Sequence, residues 1–75
     1  MNKDNHLTNR EIEVLSLVAN GLSNKDIAEK LNISIHTVKA HISSMYQKVD
    51  TSSRVALAVN SVKLGIISWL VYFKL

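Results

Sequence analysis

The sequence predicts an all-α domain of four short helices, and three observations predict it. The 75 residues include no proline and only two glycines, Gly21 and Gly65, so little interrupts a helix except short turns. Apolar residues recur at spacings of three and four in four separate segments. Each segment is bounded by residues that start or stop a helix.

A chain of this length has room for one modest core, whose burial barely exceeds the entropy of ordering the backbone. There is no cysteine, which excludes disulfides and thiolate metal sites and suits a reducing compartment. The start, Met1 to His6, is polar and has no apolar stretch behind it, so it does not read as a secretory signal. The longest apolar run, Ile66 to Phe73, is broken at Ser68 and falls short of the roughly 20 residues that span a bilayer. A cytoplasmic protein without a membrane partner is the expectation. The net charge is only +3, but it is unevenly spread. Residues 1–29 are net acidic, whereas residues 30–54 hold Lys30, Lys39, Lys48 and Arg54 against Asp50 alone. A polyanion is the natural partner for that middle stretch.

The first helix opens at Thr8-Asn9-Arg10-Glu11, a capping box in which hydroxyl and carboxylate each satisfy the other residue's amide. Val14, Leu15, Val18 and Leu22 form its apolar stripe, widened by Ile12 and Leu17, and Gly21 can take the left-handed conformation that ends it. Ser23-Asn24-Lys25-Asp26 repeats the box and opens a second helix that buries Ile27, Ala28 and Leu31. Asn32, tolerant of positive φ, stops it. Ser34 caps a third helix over 35–49. At 100° per residue, Val38, Ile42, Met45 and Val49 fall within a roughly 60° arc and form its buried stripe. His36, Lys39, Ala40, Ser43, Ser44 and Gln47 lie on the far side, where there is no carboxylate. After Asp50-Thr51-Ser52-Ser53, a fourth helix runs from about Arg54 to Leu64, stopped by Gly65. Val55, Ala58, Val59 and Val62 share one of its faces, with Leu57 and Leu64 on another. Glu11 and Arg54 are placed to pair across two helices.

A short helix, a three-residue turn and a longer helix with an acid-free outer face make a helix-turn-helix over about residues 24–43. The chemistry explains the pattern. A face that enters a groove walled by phosphates cannot carry carboxylates, and its side chains must be small enough for close approach yet able to donate. Lys39 can donate to guanine O6 and N7, Ala40 can lie on a thymine methyl, Ser43 can donate or accept, and Gln47 can read adenine. Ser34 and Thr37, with His36 between them, sit at a helix start whose free amides favour a phosphate.

Three runs carry a closer likeness: Leu7-Thr8-x-Arg10-Glu11-x-Glu13-Val14-Leu15, Gly21-Leu22-Ser23-Asn24-Lys25-x-Ile27-Ala28-x-x-Leu31, and Ile33-Ser34-x-x-Thr37-Val38-Lys39-x-His41. Together with Lys48 and Arg54 they resemble the LuxR/GerE family of bacterial helix-turn-helix regulators, over about Leu7 to Ile67. The resemblance implies a four-helix domain of the winged-helix-like superfamily without a wing. It also implies transcriptional control and a homodimer on pseudo-palindromic double-stranded DNA, paired through the last helix. Lys39, Ala40 and Ser43 occupy the base-facing positions. Lys25, Ser34, Thr37 and Lys48 resemble phosphate contacts, and Leu57, Ser61 and Leu64 fall on the dimer helix. Residues 1–6 are then a polar lead, 7–67 the domain and 68–75 an apolar tail. Many relatives carry a receiver or sensor ahead of this module, so a separated effector domain and a complete small regulator both fit.

Two departures from the family pattern stand out. Asp50 replaces the usual glycine after the recognition helix; it can keep the turn at some cost, with its charge near the phosphates a small penalty. The tail is more apolar than usual. It either folds back on the core, is an appended extension, or serves as a dimer or partner surface.

Other functions are poorly served. His36 and His41 lie about 140° apart on a helix and cannot share a metal, and neither a cofactor nor a nucleophile-elbow motif is indicated. An enzyme is not expected. The competing reading is a helix-turn-helix that docks on protein, such as RNA polymerase, a sigma factor or another regulator. Sigma region four begins with a similar helix, but its recognition helix usually carries more arginine and often a glutamate; Thr37-Val38-Lys39-Ala40-His41 favours the LuxR/GerE side.

Overall fold

The structure, a computed structural model, describes residues 7–63, with side chains through Val59. It contains α1 (Asn9–Ala19), α2 (Asn24–Leu31), α3 (Ile35–Val49) and α4 (Arg54–Lys63), with no strand among the described residues. The polar lead, the expected helix end at Leu64 with its stop at Gly65, and the apolar tail lie outside the described residues.

Local chemistry fixes the boundaries. Thr8 Oγ1 accepts from the Glu11 amide at 3.0 Å, and the Thr8 amide donates to Glu11 Oε1 at 2.8 Å, closing the first capping box. Ser23 and Asp26 close the second, at 3.1 and 3.5 Å. Ser34 Oγ accepts from the Thr37 amide at 3.0 Å at the head of α3. At the other ends, Gly21, Asn32 and Asp50 hold φ of +89°, +59° and +60°. Each is followed by an amide that reaches back into its helix: Leu22 to the Leu17 carbonyl at 3.1 Å, Ile33 to Ala28 at 3.0 Å, and Thr51 to Tyr46 at 2.9 Å. The same left-handed stop thus ends three helices and satisfies carbonyls that would otherwise lack a partner. A fourth cap, not anticipated from the sequence, is Ser53 Oγ, which accepts from the Ala56 amide at 3.2 Å.

The core is built on α1, which touches each of the other helices. Val14, Leu15 and Val18 meet Ile27 and Ala28 of α2, Val38, Ile42 and Met45 of α3, and Leu57 of α4. Leu7, Ile12, Leu17, Leu22, Leu31, Ile33 and Val49 pack around this centre half-buried. Nondirectional apolar contact gathers the helices, while two polar links set their rotation. Arg54 donates from Nη1 to Asn24 Oδ1 at 2.7 Å and from Nη2 to the Leu22 carbonyl at 2.8 Å, tying the start of α4 to the α1–α2 turn. The anticipated pairing of Arg54 with Glu11 is therefore corrected; Glu11 has a different partner, Lys48.

The Arg54 anchor also corrects the reading of α4. With Arg54 turned to the body, Leu57 and Ala58, three and four residues on, face the same way and are buried, Leu57 completely. Leu57 consequently belongs to this chain's own core and cannot line a dimer face. Val55, at 74% exposure, and Val59, at 41%, point outward instead. Ser61 falls within α4, where its side chain is not described, and Leu64 lies outside the described residues.

Candidate nucleic-acid interface

The turn Asn32-Ile33-Ser34 joins α2 to α3. Asn32 supplies the reversal through its left-handed backbone, and Ile33 plugs the turn against the core. Ser34 restarts the helix after three residues. This holds α3 against α1 and α2 by its Val38, Ile42 and Met45 stripe, and leaves the opposite side free.

On that free side His36, Lys39, Ala40, Ser43 and Gln47 are all exposed. Helix geometry gathers them into an arc of about 100°. The arc contains one ammonium, one imidazole, an amide, a hydroxyl and a methyl, and no acid anywhere on α3. Ser44, expected on this outer side, is half-buried, which sets it apart from the exposed residues of the free face. At the head of α3, Ser34 is exposed and its hydroxyl lies 2.9 Å from that of Thr37. The cap occupies the Thr37 amide, so the amides of Ile35 and His36 form the open positive end of the helix. Lys25 is exposed in the first turn of α2.

Lys48, expected among phosphate contacts, pairs with a carboxylate of its own chain. Its Nζ lies 2.9 Å from Glu11 Oε1, and its side chain is only 23% exposed. Glu11 itself is 4% exposed. Burial alone pushes its carboxyl pKa up, but hydrogen bonds from Lys48, Ser44 and Thr8 and the Lys48 charge outweigh that and hold it below the usual carboxylate value. Helix arithmetic contained a hint of this: nine residues separate Lys39 from Lys48, which puts them about 180° apart. With Lys39 exposed, Lys48 is turned toward the protein body.

His36 and His41 stay on separate parts of α3, and no group of three or more metal-ligating side chains is gathered among the described residues. Nor is any described helix long and apolar enough to cross a membrane.

A capped helix, a left-handed three-residue turn and a projecting acid-free helix, all on a small α-helical core, define a helix-turn-helix DNA-binding domain. Residues 5–61 match the family model described as bacterial regulatory proteins, luxR family. The chain belongs to that family, whose members are DNA-binding transcriptional regulators and not enzymes. It is 51% identical over 53 residues to the transcriptional regulatory protein LiaR of Bacillus subtilis, a match covering 71% of this chain and 25% of LiaR. It is 53% identical over 53 residues to the nitrate/nitrite response regulator protein NarP of Escherichia coli, covering 71% of this chain and 25% of NarP. It is 48% identical over 59 residues to the transcriptional regulatory protein DegU of Brevibacillus brevis, covering 79% of this chain and 25% of DegU. The chain thus spans about a quarter of the length of these curated relatives.

Proposed function

We propose that this domain recognises a specific duplex DNA sequence by laying α3 in the major groove, and controls transcription in the bacterial cytoplasm. The observation that carries the reading is the exposed arc of α3. Lys39, Ala40, Ser43 and Gln47 are assigned to base edges, with Lys39 on guanine. Lys25, Ser34, His36 and Thr37 are assigned to phosphates, assisted by the free amides at the head of the helix. The only ammonium on the arc, Lys39, sits among side chains short enough to let the backbone approach. A homodimer on a pseudo-palindromic site is part of the proposal, supported by the apolar Val55 and Val59 that α4 turns outward. The response-regulator name of NarP supports a role as the output module of such a protein.

Selection from a random duplex pool tests this, followed by titration of the selected site across salt concentrations. The expected result is an enriched motif with two-fold symmetry. Binding should fall with salt at a log–log slope of roughly −3 per protomer. No enriched motif and a flat salt response would instead support docking on a protein such as RNA polymerase.

A further inference from the structure

We infer that Lys48 is a positioning residue for DNA reading: its bridge to Glu11 sets the roll of α3, and its ammonium does not contact a phosphate. The inference rests on the DNA-reading proposal above and deepens it.

Three observations lead here. The bridge connects distant parts of the chain, 37 residues apart, joining the first turn of α1 to the last turn of α3. It is shielded at both ends. It also converges on one atom: Glu11 Oε1 accepts both the Lys48 ammonium and the Thr8 amide, so the strut is anchored on the capping box of the central helix. Glu11 therefore grips α3 at its last turn.

Such a grip supplies what the apolar stripe lacks. Val38, Ile42 and Met45 hold α3 against the core by contacts that tolerate a small roll. A short, directed, partly buried ion pair does not. Because Lys48 lies about 180° around the helix from Lys39 and about 13.5 Å along it, a roll permitted at one is delivered in full at the other. Base-edge hydrogen bonds need that angle fixed, whereas contacts to phosphates from mobile side chains do not. Losing the strut should consequently harm recognition of the right sequence more than attraction to DNA in general.

The test compares Lys48→Met, Lys48→Arg, Glu11→Gln and the Met/Gln double variant. Each is titrated against the selected duplex and a random duplex, at a temperature where thermal melts show every variant folded. Lys48→Met should bind the selected site about tenfold more weakly while its affinity for random duplex stays within about twofold. Its log–log salt slope should equal that of the wild type. Glu11→Gln should reproduce the loss, the double variant should be no worse than Lys48→Met, and Lys48→Arg should restore most of the specificity. A slope reduced by about one, with both duplexes weakened alike and Glu11→Gln harmless, would make Lys48 a phosphate contact and overturn the inference. Unchanged specificity in folded variants would make the bridge purely structural and overturn it equally. Absence of salt-dependent binding by the wild type would sink the DNA-reading proposal itself, and this inference with it.

Discussion

Replacing Asp50 by glycine should stabilise the domain, by an amount the backbone allows to be worked out. Asp50 holds φ +60° and ψ +53°, fixed by its own amide and that of Thr51, both donating to the Tyr46 carbonyl. Left-handed backbone costs an L-residue about 1–2 kcal/mol, and aspartate is at the lower end of that range. Its carboxylate also sits at the negative end of a 15-residue helix, which costs about 0.3–1 kcal/mol. Glycine removes both penalties but gives up about 0.5–1 kcal/mol of chain entropy. The net is a gain of about 1 kcal/mol, equivalent to a rise in Tm of about 4–8 °C for a domain of this size. Asp50→Asn isolates the charge, since asparagine keeps the tolerance for positive φ, and should gain only the electrostatic part. Asp50→Ala removes the charge but strains the backbone, and should come out neutral or destabilised. Urea denaturation followed by circular dichroism, at constant m-value, measures all three. A glycine variant no more stable than the wild type, or an alanine variant as stable as the glycine one, would refute the reasoning.

Other expectations concern the interface and the core. Lys39→Ala should cost on the order of 1–3 kcal/mol on the selected duplex and relax base preference at one position, whereas equal losses on selected and random duplex would remove it from the base-reading role. Lys25→Ala should weaken every sequence alike and reduce the salt slope by about one in parallel titrations. Leu57→Ala should cost about 2–5 kcal/mol in denaturation because it empties a fully buried site, while Val55→Ser should stay within about 0.5 kcal/mol of wild-type stability and weaken self-association in sedimentation. Glu11 adds a pH signature. Its folded-state pKa is depressed, so its contribution is present above the unfolded carboxylate value of about 4.3 and is lost as pH falls through the lower folded value. The melting-temperature gap between wild type and Glu11→Gln should therefore be full near pH 6 and close as the solution is acidified below about pH 4.

Most of the fold was legible because it is written in local chemistry. Thr8, Ser23 and Ser34 announce where helices begin, Gly21 and Asn32 where they end, and Asp50 keeps the reversal despite its side chain. The exposed arc of α3 was legible for a related reason: one helix's periodicity suffices to assign its two sides. Contacts between helices were harder to read. Whether Leu57 or Val55 meets the core depends on the roll of α4, which Arg54 sets by reaching Asn24 and Leu22 about 30 residues away. Glu11 shows the same limit: its role in the cap was visible, but its choice of Lys48 over Arg54 depends on the packing of α1 against α3. Ser44 was misplaced because it borders the arc, where a small difference in roll decides between exposure and partial burial.

Nuclear magnetic resonance titration of the domain with its selected duplex tests the central claim most directly. Amide and side-chain shifts should be largest at His36, Lys39, Ala40, Ser43 and Gln47, with Lys25 and Ser34 at the margin and Lys48 little affected. Shifts confined to other surfaces, with the exposed arc of α3 unmoved, would contradict the account.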